Sequence, residues 1–250
     1  MDYSLSIGFA QSGDDLTSIA KLRYRVFHEQ FGANGKSFDH FKKSEWESYD
    51  ENCEHIVCKA IFPNRSEEII GTFRCKISTI RDEKFRVQKE FNIDELLKQN
   101  QRICELGRIC VDARFRNGII IFKIWQFLFN FLKENDVEIL IGVASFEGSN
   151  IKLHEESLHI LFKNHVSLLT SKIKTEQENK LKFFQDIRYD KIVGIKNIPD
   201  LLKAYLRFGS YVSPCYFIDF DFNTVDICCV LILKDIPEQQ KLLFSRSLVS

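Results

Sequence analysis

The sequence predicts an α/β fold, with a mixed, mostly antiparallel sheet, helices on both faces and one splayed strand pair. Three observations carry this expectation. Glu54 to Phe62 and Ile69 to Ile80 are strand-like runs joined by the turn Pro63-Asn64-Arg65-Ser66, which makes an antiparallel hairpin. Ile103 to Val111, a long apolar helix, and Glu138 to Phe146 then follow in strand–helix–strand order. Gly107 interrupts the first of those strands, and glycine inside a strand often marks a bulge that parts its neighbours.

The remaining elements are justified in chain order. Asp14 and Asp15 cap a helix running to about Gln30, with Leu16, Ile19, Ala20, Arg23 and Phe27 on one face. Gly32 to Glu51 is polar, aromatic and mixed in charge, and reads as a long ordered loop, a length usually kept for function. A short helix spans about Ile93 to Asn100, and the long apolar helix spans about Gly118 to Asn135. Ile151 to His165 reads as another helix, and Pro199 to Phe208 as one closed by Gly209. Strands near Tyr216 to Asp219 and Asp226 to Leu233 end the chain, while the lysine-rich stretch Ser167 to Asn197 has no clear pattern. No repeat or Pro/Gly/Ser-rich linker divides the sequence, so 1–250 is expected to be a single domain, with 199–250 part of it.

Composition narrows the function. Lys and Arg total 35, Asp and Glu total 35, and no block of one sign stands out. The basic footprint of a nucleic-acid binder is therefore missing. Six of the eight cysteines, Cys58, Cys75, Cys104, Cys110, Cys228 and Cys229, sit in apolar runs, where a free thiol behaves as a small buried hydrophobe. No Cys-x-x-Cys pair or recognisable histidine spacing points to a metal. The N-terminal residues lack a signal-peptide pattern, and a reducing cytoplasm fits the thiols. Ile119 to Leu132 is too short and too interrupted by Lys123, Gln126 and Asn130 to span a bilayer, which needs ~20 mostly apolar residues. Peripheral contact with the inner face of a membrane stays open.

The chemistry concentrates after residue 104. Glu105-Leu106-Gly107-Arg108 places an acid and a base on one strand. Residues three apart point to opposite faces of a regular strand, and a bulge at Leu106-Gly107 returns them to one side. The strand ends at Val111 and runs into the turn Arg114-Phe115-Arg116-Asn117-Gly118, which opens the long helix at Ile119. Free amides at a helix start bind phosphate, and two arginines add fixed positive charge. A phosphate-bearing donor beside a carboxylate that takes a proton makes acyl transfer the first reading. A structural ion pair between Glu105 and Arg74 is the bland alternative. Arg23 and Phe27 lie one turn apart on the first helix. Glu45, Glu47 and Asp50 in the following loop suit a cationic amine or form a solvated acidic face.

These elements, in this order, resemble a known family. The matching stretches are Leu22-Arg23-Tyr24-Arg25-Val26-Phe27-His28-Glu29 with Gly32-Ala33, and Tyr49-Asp50-Glu51-Asn52-Cys53-Glu54-His55. Gly71-Thr72-Phe73-Arg74, Glu105 to Arg108, Arg116-Asn117-Gly118, Gly142-Val143-Ala144-Ser145-Phe146, Leu202 to Gly209 and Phe222-Asn223-Thr224-Val225-Asp226 complete them. The chain resembles the ornithine–acyl-carrier-protein N-acyltransferases of bacterial ornithine-lipid synthesis, sometimes called haemolysin-like, with a GCN5-related acetyltransferase (GNAT)-like fold. The resemblance extends more distantly to acyl-homoserine-lactone synthases, whose tryptophan after the first-helix Phe is replaced here by Ala33. It departs at Ala204, where glycine is usual, and over Ser157 to Asn197.

The resemblance implies transfer of a 3-hydroxyacyl group from acyl carrier protein to the α-amine of ornithine, giving lyso-ornithine lipid. It also implies no bound cofactor or metal, with the carrier's phosphopantetheine as the donor arm and the following residue roles. Glu105 takes the acceptor's proton, with Arg74 and Arg108 orienting Glu105 or the acceptor carboxylate. Val111, Arg114, Arg116, Asn117, Gly118 and Ile119 hold the donor. Arg23, Phe27, Asp50 and Ser145 hold the acceptor, with Asp50 on its side-chain ammonium. The rivals are another N-acyl amino acid or acyl-homoserine-lactone synthase, and a non-catalytic acyl-binding or membrane-lytic protein.

Overall fold

The computed structural model describes residues 2–78, 84–99, 101–116, 118–177 and 190–245. Its elements are β1 (Ser4–Phe9), α1 (Gly13–Arg23), β2 (Phe38–Asp39), β3 (Ser44–Glu45), β4 (Glu54–Ile61), β5 (Glu67–Ser78), β6 (Phe91–Asn92), α2 (Asp94–Leu97), β7 (Ile103–Val111), α3 (Ile119–Glu134), β8 (Ile139–Glu147), α4 (Glu155–His165), β9 (Lys174–Thr175), α5 (Lys191–Lys196), α6 (Asp200–Arg207), β10 (Tyr211–Val212), β11 (Phe217–Asp219), β12 (Thr224–Ile232) and α7 (Glu238–Ser245). The chain divides into two compact units, each drawn from separate stretches. Strand β7 runs from one into the other.

The first unit comprises 1–76, 106–136 and 241–250. Its strands lie in the order β1-β4-β5-β7, with β1/β4 and β4/β5 antiparallel. Strand β1 was missed by the sequence reading, because Ser4, Ser6 and Gly8 dilute its apolar alternation. It is an edge strand, and backbone pairing to β4 holds it. The first helix is capped by Ser12, not by Asp14 or Asp15: the Ser12 hydroxyl accepts the Asp15 N–H at 3.1 Å. Both aspartates fall in the first turn, where they complement the helix dipole. Asp15 is further held by Lys59 at 2.8 Å.

Residues Tyr24–Gln30 continue α1 as a π-helix, which the 3.6-residue pattern did not anticipate. Such wide turns are rare and are frequent at functional sites. Helix α3 buries Ile120, Ile124, Trp125, Leu128 and Leu132. Gly71 on β5 lets it come close: a Cβ there would lie 3.2 Å from both Ile120 Cγ2 and Ile124 Cδ1.

The second unit comprises 77–105 and 137–240. Its strands run β7-β8-β12-β10, with β11 also on β12; β12 is antiparallel to β8, β10 and β11. The β8/β12 register puts Ser145 opposite Asp226. Phe85, Val87, Phe91, Ile93, Leu96, Ile103, Ile139, Ile141, Cys228 and Val230 pack into one buried apolar cluster. Removing that surface from water is the main force holding these elements together. Helix α5 lies against α4 through Gly194, where a Cβ would meet Ile160 Cδ1 at 2.4 Å and the Glu156 carbonyl oxygen at 3.0 Å. The predicted strand to Ile80 ends at Ser78 within the described residues, and Thr79, Ile80 and Asn100 lie outside them.

Candidate active site

Strand β7 leaves regular strand backbone at Arg108, one residue beyond the glycine at which a bulge was expected. Arg108 has φ +51° inside the strand. That left-handed region is uncommon for a residue with a Cβ and persists only where surroundings enforce it. Here they do. Arg108 Nε donates to Glu45 Oε1 at 3.1 Å, and its Nη2 donates to Glu47 Oε1 at 3.2 Å. Gly107 is small for a second reason: a Cβ there would come within 3.3 Å of Arg74 Nη2.

Those contacts belong to a network of three arginines and three carboxylates in the first unit. Arg23 is fully buried, donates from Nε to Glu45 and grips Asp50 with Nη1 at 2.8 Å and Nη2 at 3.0 Å. Arg74 Nη1 donates to Glu47 Oε1 at 2.7 Å and Asp50 Oδ1 at 3.1 Å. The Asp50 Oδ2 atom also accepts the Glu47 N–H at 2.8 Å. Burial pushes the Asp50 pKa up, but Arg23 and Arg74 outweigh it and hold the carboxyl well below its usual range. The Arg23 guanidinium lies over the Trp46 ring at 5.4 Å and that of Arg74 over Tyr49 at 4.8 Å.

The loop expected from Gly32 to Glu51 is thus an ordered wall whose acids neutralise buried arginines. Asp50, expected to hold a substrate ammonium, has all four acceptor positions of its two oxygens filled by protein donors. Only Arg108 and Glu47 keep partly exposed side chains, 13% and 14%, so they are the members of the network able to meet a substrate.

The turn after β7 is a short 3-10 segment, Ala113–Phe115, capped by Asp112. Arg114 pairs with Asp112 at 2.9 Å and with Glu68, and the Arg114 hydrogen bond holds the Asp112 pKa down to about 2. Arg116 is exposed; it donates to the Val111 carbonyl at 2.9 Å and to Gln30 Oε1 at 2.7 Å. Gly118 stands at the α3 N-cap with φ +78°, a conformation glycine adopts without cost, and offers no side-chain cap. Asn117 lies outside the described residues. Phe27 falls in the π-helix and packs against the cluster of Ile19, Leu22, Val26 and Val57.

Glu105 is in the second unit and is 5% exposed. Its Oε2 accepts the Arg86 N–H at 2.9 Å and its Oε1 the Val87 N–H at 2.6 Å. The carboxylate therefore holds the start of the 3-10 turn Arg86–Lys89 in place. Arg74, the partner considered from sequence, is engaged by Glu47 and Asp50. Arg86 in turn donates to Glu90 Oε1 at 2.9 Å. Glu90 gathers with Asp219 and Asp226, one carboxylate oxygen of each lying within 4.8 Å of the others. Burial raises the Asp226 pKa to about 7, against a hydrogen bond from Ser145 that lowers it and with the Asp219 charge adding to the rise.

The structure thus unites Arg23, Asp50, Arg74 and Arg108, gathers Val111, Arg116 and Gly118 at the head of α3, and sets Ser145 opposite Asp226 across β8 and β12. Sequence reasoning missed Trp46, Arg86, Glu90, Asp219 and the part played by Asp226. Asp226 ends the stretch Phe222-Asn223-Thr224-Val225-Asp226, but nothing local ties it to Glu90.

Comparison with known proteins places this geometry. Residues 22–126 match the model of the acetyltransferase (GNAT) domain. A protein of Rhodobacter capsulatus named L-ornithine N(alpha)-acyltransferase is 27% identical over 247 residues, covering 97% of this chain and 95% of that protein. Among solved structures, FeeM, an N-acyl amino acid synthase from uncultured soil microbes, superposes with a TM-score of 0.57 at 8% identity, covering 93% of each chain. The CoA-dependent acyl-homoserine lactone synthase BjaI superposes with a TM-score of 0.54 at 11% identity, covering 100% of this chain and 93% of that one. The likeness to these two is one of fold. The chain has a GNAT-like acyltransferase fold and resembles L-ornithine N(α)-acyltransferases along nearly its whole length.

Proposed function

We propose that this chain is an N-acyltransferase that moves a 3-hydroxyacyl group from acyl carrier protein onto the α-amine of ornithine, giving lyso-ornithine lipid. The observation that carries the reading is the end-to-end similarity to an L-ornithine N(α)-acyltransferase. The kinked Glu-Leu-Gly-Arg strand and its arginine–carboxylate frame support it.

The transfer is direct. The acceptor ammonium loses a proton, its amine attacks the thioester carbonyl, and the carrier thiol leaves. Glu105, through a water, takes that proton; its two amide bonds fix its orientation, as a positioned base requires. Arg108, with Arg74 behind it, pairs with the acceptor carboxylate. Arg116, Gly118 and Ile119, with Asn117, receive the phosphate of the donor's phosphopantetheine arm at the head of α3. Val111 and Arg114 flank that arm, and Arg23 and Phe27 form the supporting wall. Among the described residues no helix is long and apolar enough to cross a membrane.

Incubation with 3-hydroxyacyl carrier protein and candidate amines, read by mass spectrometry, tests the reading. An ornithine amide is expected; product only with S-adenosylmethionine moves the chain to the lactone synthases, and the absence of product with every amine overturns the transferase reading. Glu105→Gln is expected to lower kcat by at least about 100-fold. A variant that loses thermal stability in proportion and keeps the pH–rate profile of the parent would make Glu105 a structural cap.

A further inference from the structure

The acid cluster of the second unit has no part in the mechanism above, and its chemistry is specific. Glu90, Asp219 and Asp226 converge from the end of a 3-10 turn, from β11 and from β12. Asp226 is 3% exposed, and its Oδ1 meets no hydrogen-bond donor among the described residues. A buried carboxylate oxygen left without a donor is costly and calls for a partner. The other two acids already accept protein donors: Glu90 Oε1 takes Arg86 Nη1 at 2.9 Å, and Asp219 Oδ1 takes the Phe222 N–H at 2.9 Å.

We propose that the Glu90–Asp219–Asp226 cluster binds the side-chain ammonium of the acceptor amino acid and so selects a diamino acid. The inference rests on the ornithine reading and adds the subsite to it. An ammonium has three N–H donors, and the cluster offers one oxygen from each of three carboxylates. With each N···O bond about 2.8 Å long at tetrahedral angles, those oxygens stand about 4.6 Å apart. The observed spread, within 4.8 Å, admits that arrangement. A calcium ion asks for six to eight oxygens, more than three carboxylates give singly. Arg86 offsets one of the three negative charges through Glu90, so a further cation is favoured.

The subsite also has a link to the proposed base. Arg86 bonds Glu105 through its backbone N–H and Glu90 through its guanidinium, so one residue joins the proposed base to the cluster. Ser145, exposed on β8, stands opposite Asp226 in the β8/β12 register.

The test compares ornithine with norvaline, which has the same carbon chain and no side-chain ammonium. For the parent protein, kcat/KM for ornithine is expected to exceed that for norvaline by about 100-fold or more. In Asp226→Asn that ratio is expected to fall at least tenfold. Asp219→Asn repeats the test should the first variant fold poorly. A variant that lowers both rates and keeps the ratio overturns the subsite and leaves the ornithine reading intact. Equal rates of the parent on ornithine and norvaline overturn the subsite too. A parent inactive on ornithine but active on another amine overturns the ornithine reading; the subsite then stands only if titration with putrescine gives heat that Asp226→Asn abolishes. Heat with calcium and none with putrescine replaces the ammonium by a metal ion and overturns the proposal.

Discussion

Asp50 carries four hydrogen bonds on two oxygens, and that count sets what its loss would do. Asp50→Asn would leave Arg23, fully buried, with Glu45 as its one remaining carboxylate partner among the described residues. Breaking one side of a buried ion pair costs about 3–5 kcal/mol, because the other charge stays desolvated. Chemical denaturation should show a loss of that order, little changed by 1 M salt; a loss below about 1 kcal/mol would mean the network is wetter than its burial implies. Asp226 predicts the opposite sign. Its folded pKa, about 7, lies above the ordinary 3.8, so its contribution to stability is fully present below pH 4 and lost as pH rises towards 7. Asp226→Asn without substrate should therefore match the parent near pH 4 and melt at a higher temperature at pH 8. A variant less stable than the parent at pH 8 would show that the charged form is paired. The sequence reading gave Asp50 a substrate ammonium to hold and could not show it saturated, since its partners Arg23 and Arg74 come from other elements.

At the scale of elements, strand β7 was readable to the residue, because Ile103, Cys104, Leu106, Ile109, Cys110 and Val111 make it apolar at both ends between polar stretches, despite Glu105, Gly107 and Arg108. The π-helix Tyr24–Gln30 was not, since Leu22, Val26 and Phe27 suit α and π turns alike and packing decides between them. Helix α5 was also illegible: Ile192, Val193, Gly194 and Ile195 are weak helix formers, and the helix packs because Gly194 lets it touch α4. Asp190 caps it by accepting the Ile192 and Val193 N–H groups, and Ser157 Oγ donates to the Gly194 carbonyl at 2.7 Å. Gly194→Ala tests this directly. Ile160 Cδ1 can swing away, but the Glu156 backbone oxygen cannot, so the helices must part. A cost of about 1–3 kcal/mol is expected, against the gain alanine usually brings inside a helix. A stabilised variant would show that α5 does not rest on α4 as described.

Across the whole molecule, the thiols report how much of the fold the sequence disclosed. Six cysteines in apolar runs were expected to be buried free thiols, and Cys58, Cys75, Cys104, Cys110, Cys228 and Cys229 are buried. They were legible because burial of an apolar run needs no long-range partner to specify it. Burial pushes the pKa of Cys58 up to about 11 and those of Cys110 and Cys229 up to about 12, and carries Cys228 well above its ordinary value. Cys215, less buried, rises to about 11. The thiolate is the reactive form, so access and ionisation both oppose modification in the folded chain. Titration with an aromatic disulfide reagent at pH 8 should therefore label no more than Cys53 and Cys215 before unfolding, and all eight cysteines in guanidinium. Because none is bridged, a reductant should leave the melting temperature where it was. Rapid labelling of a third thiol under native conditions would mean that one of the two cores opens on the timescale of the assay, at a free energy well below that of global unfolding.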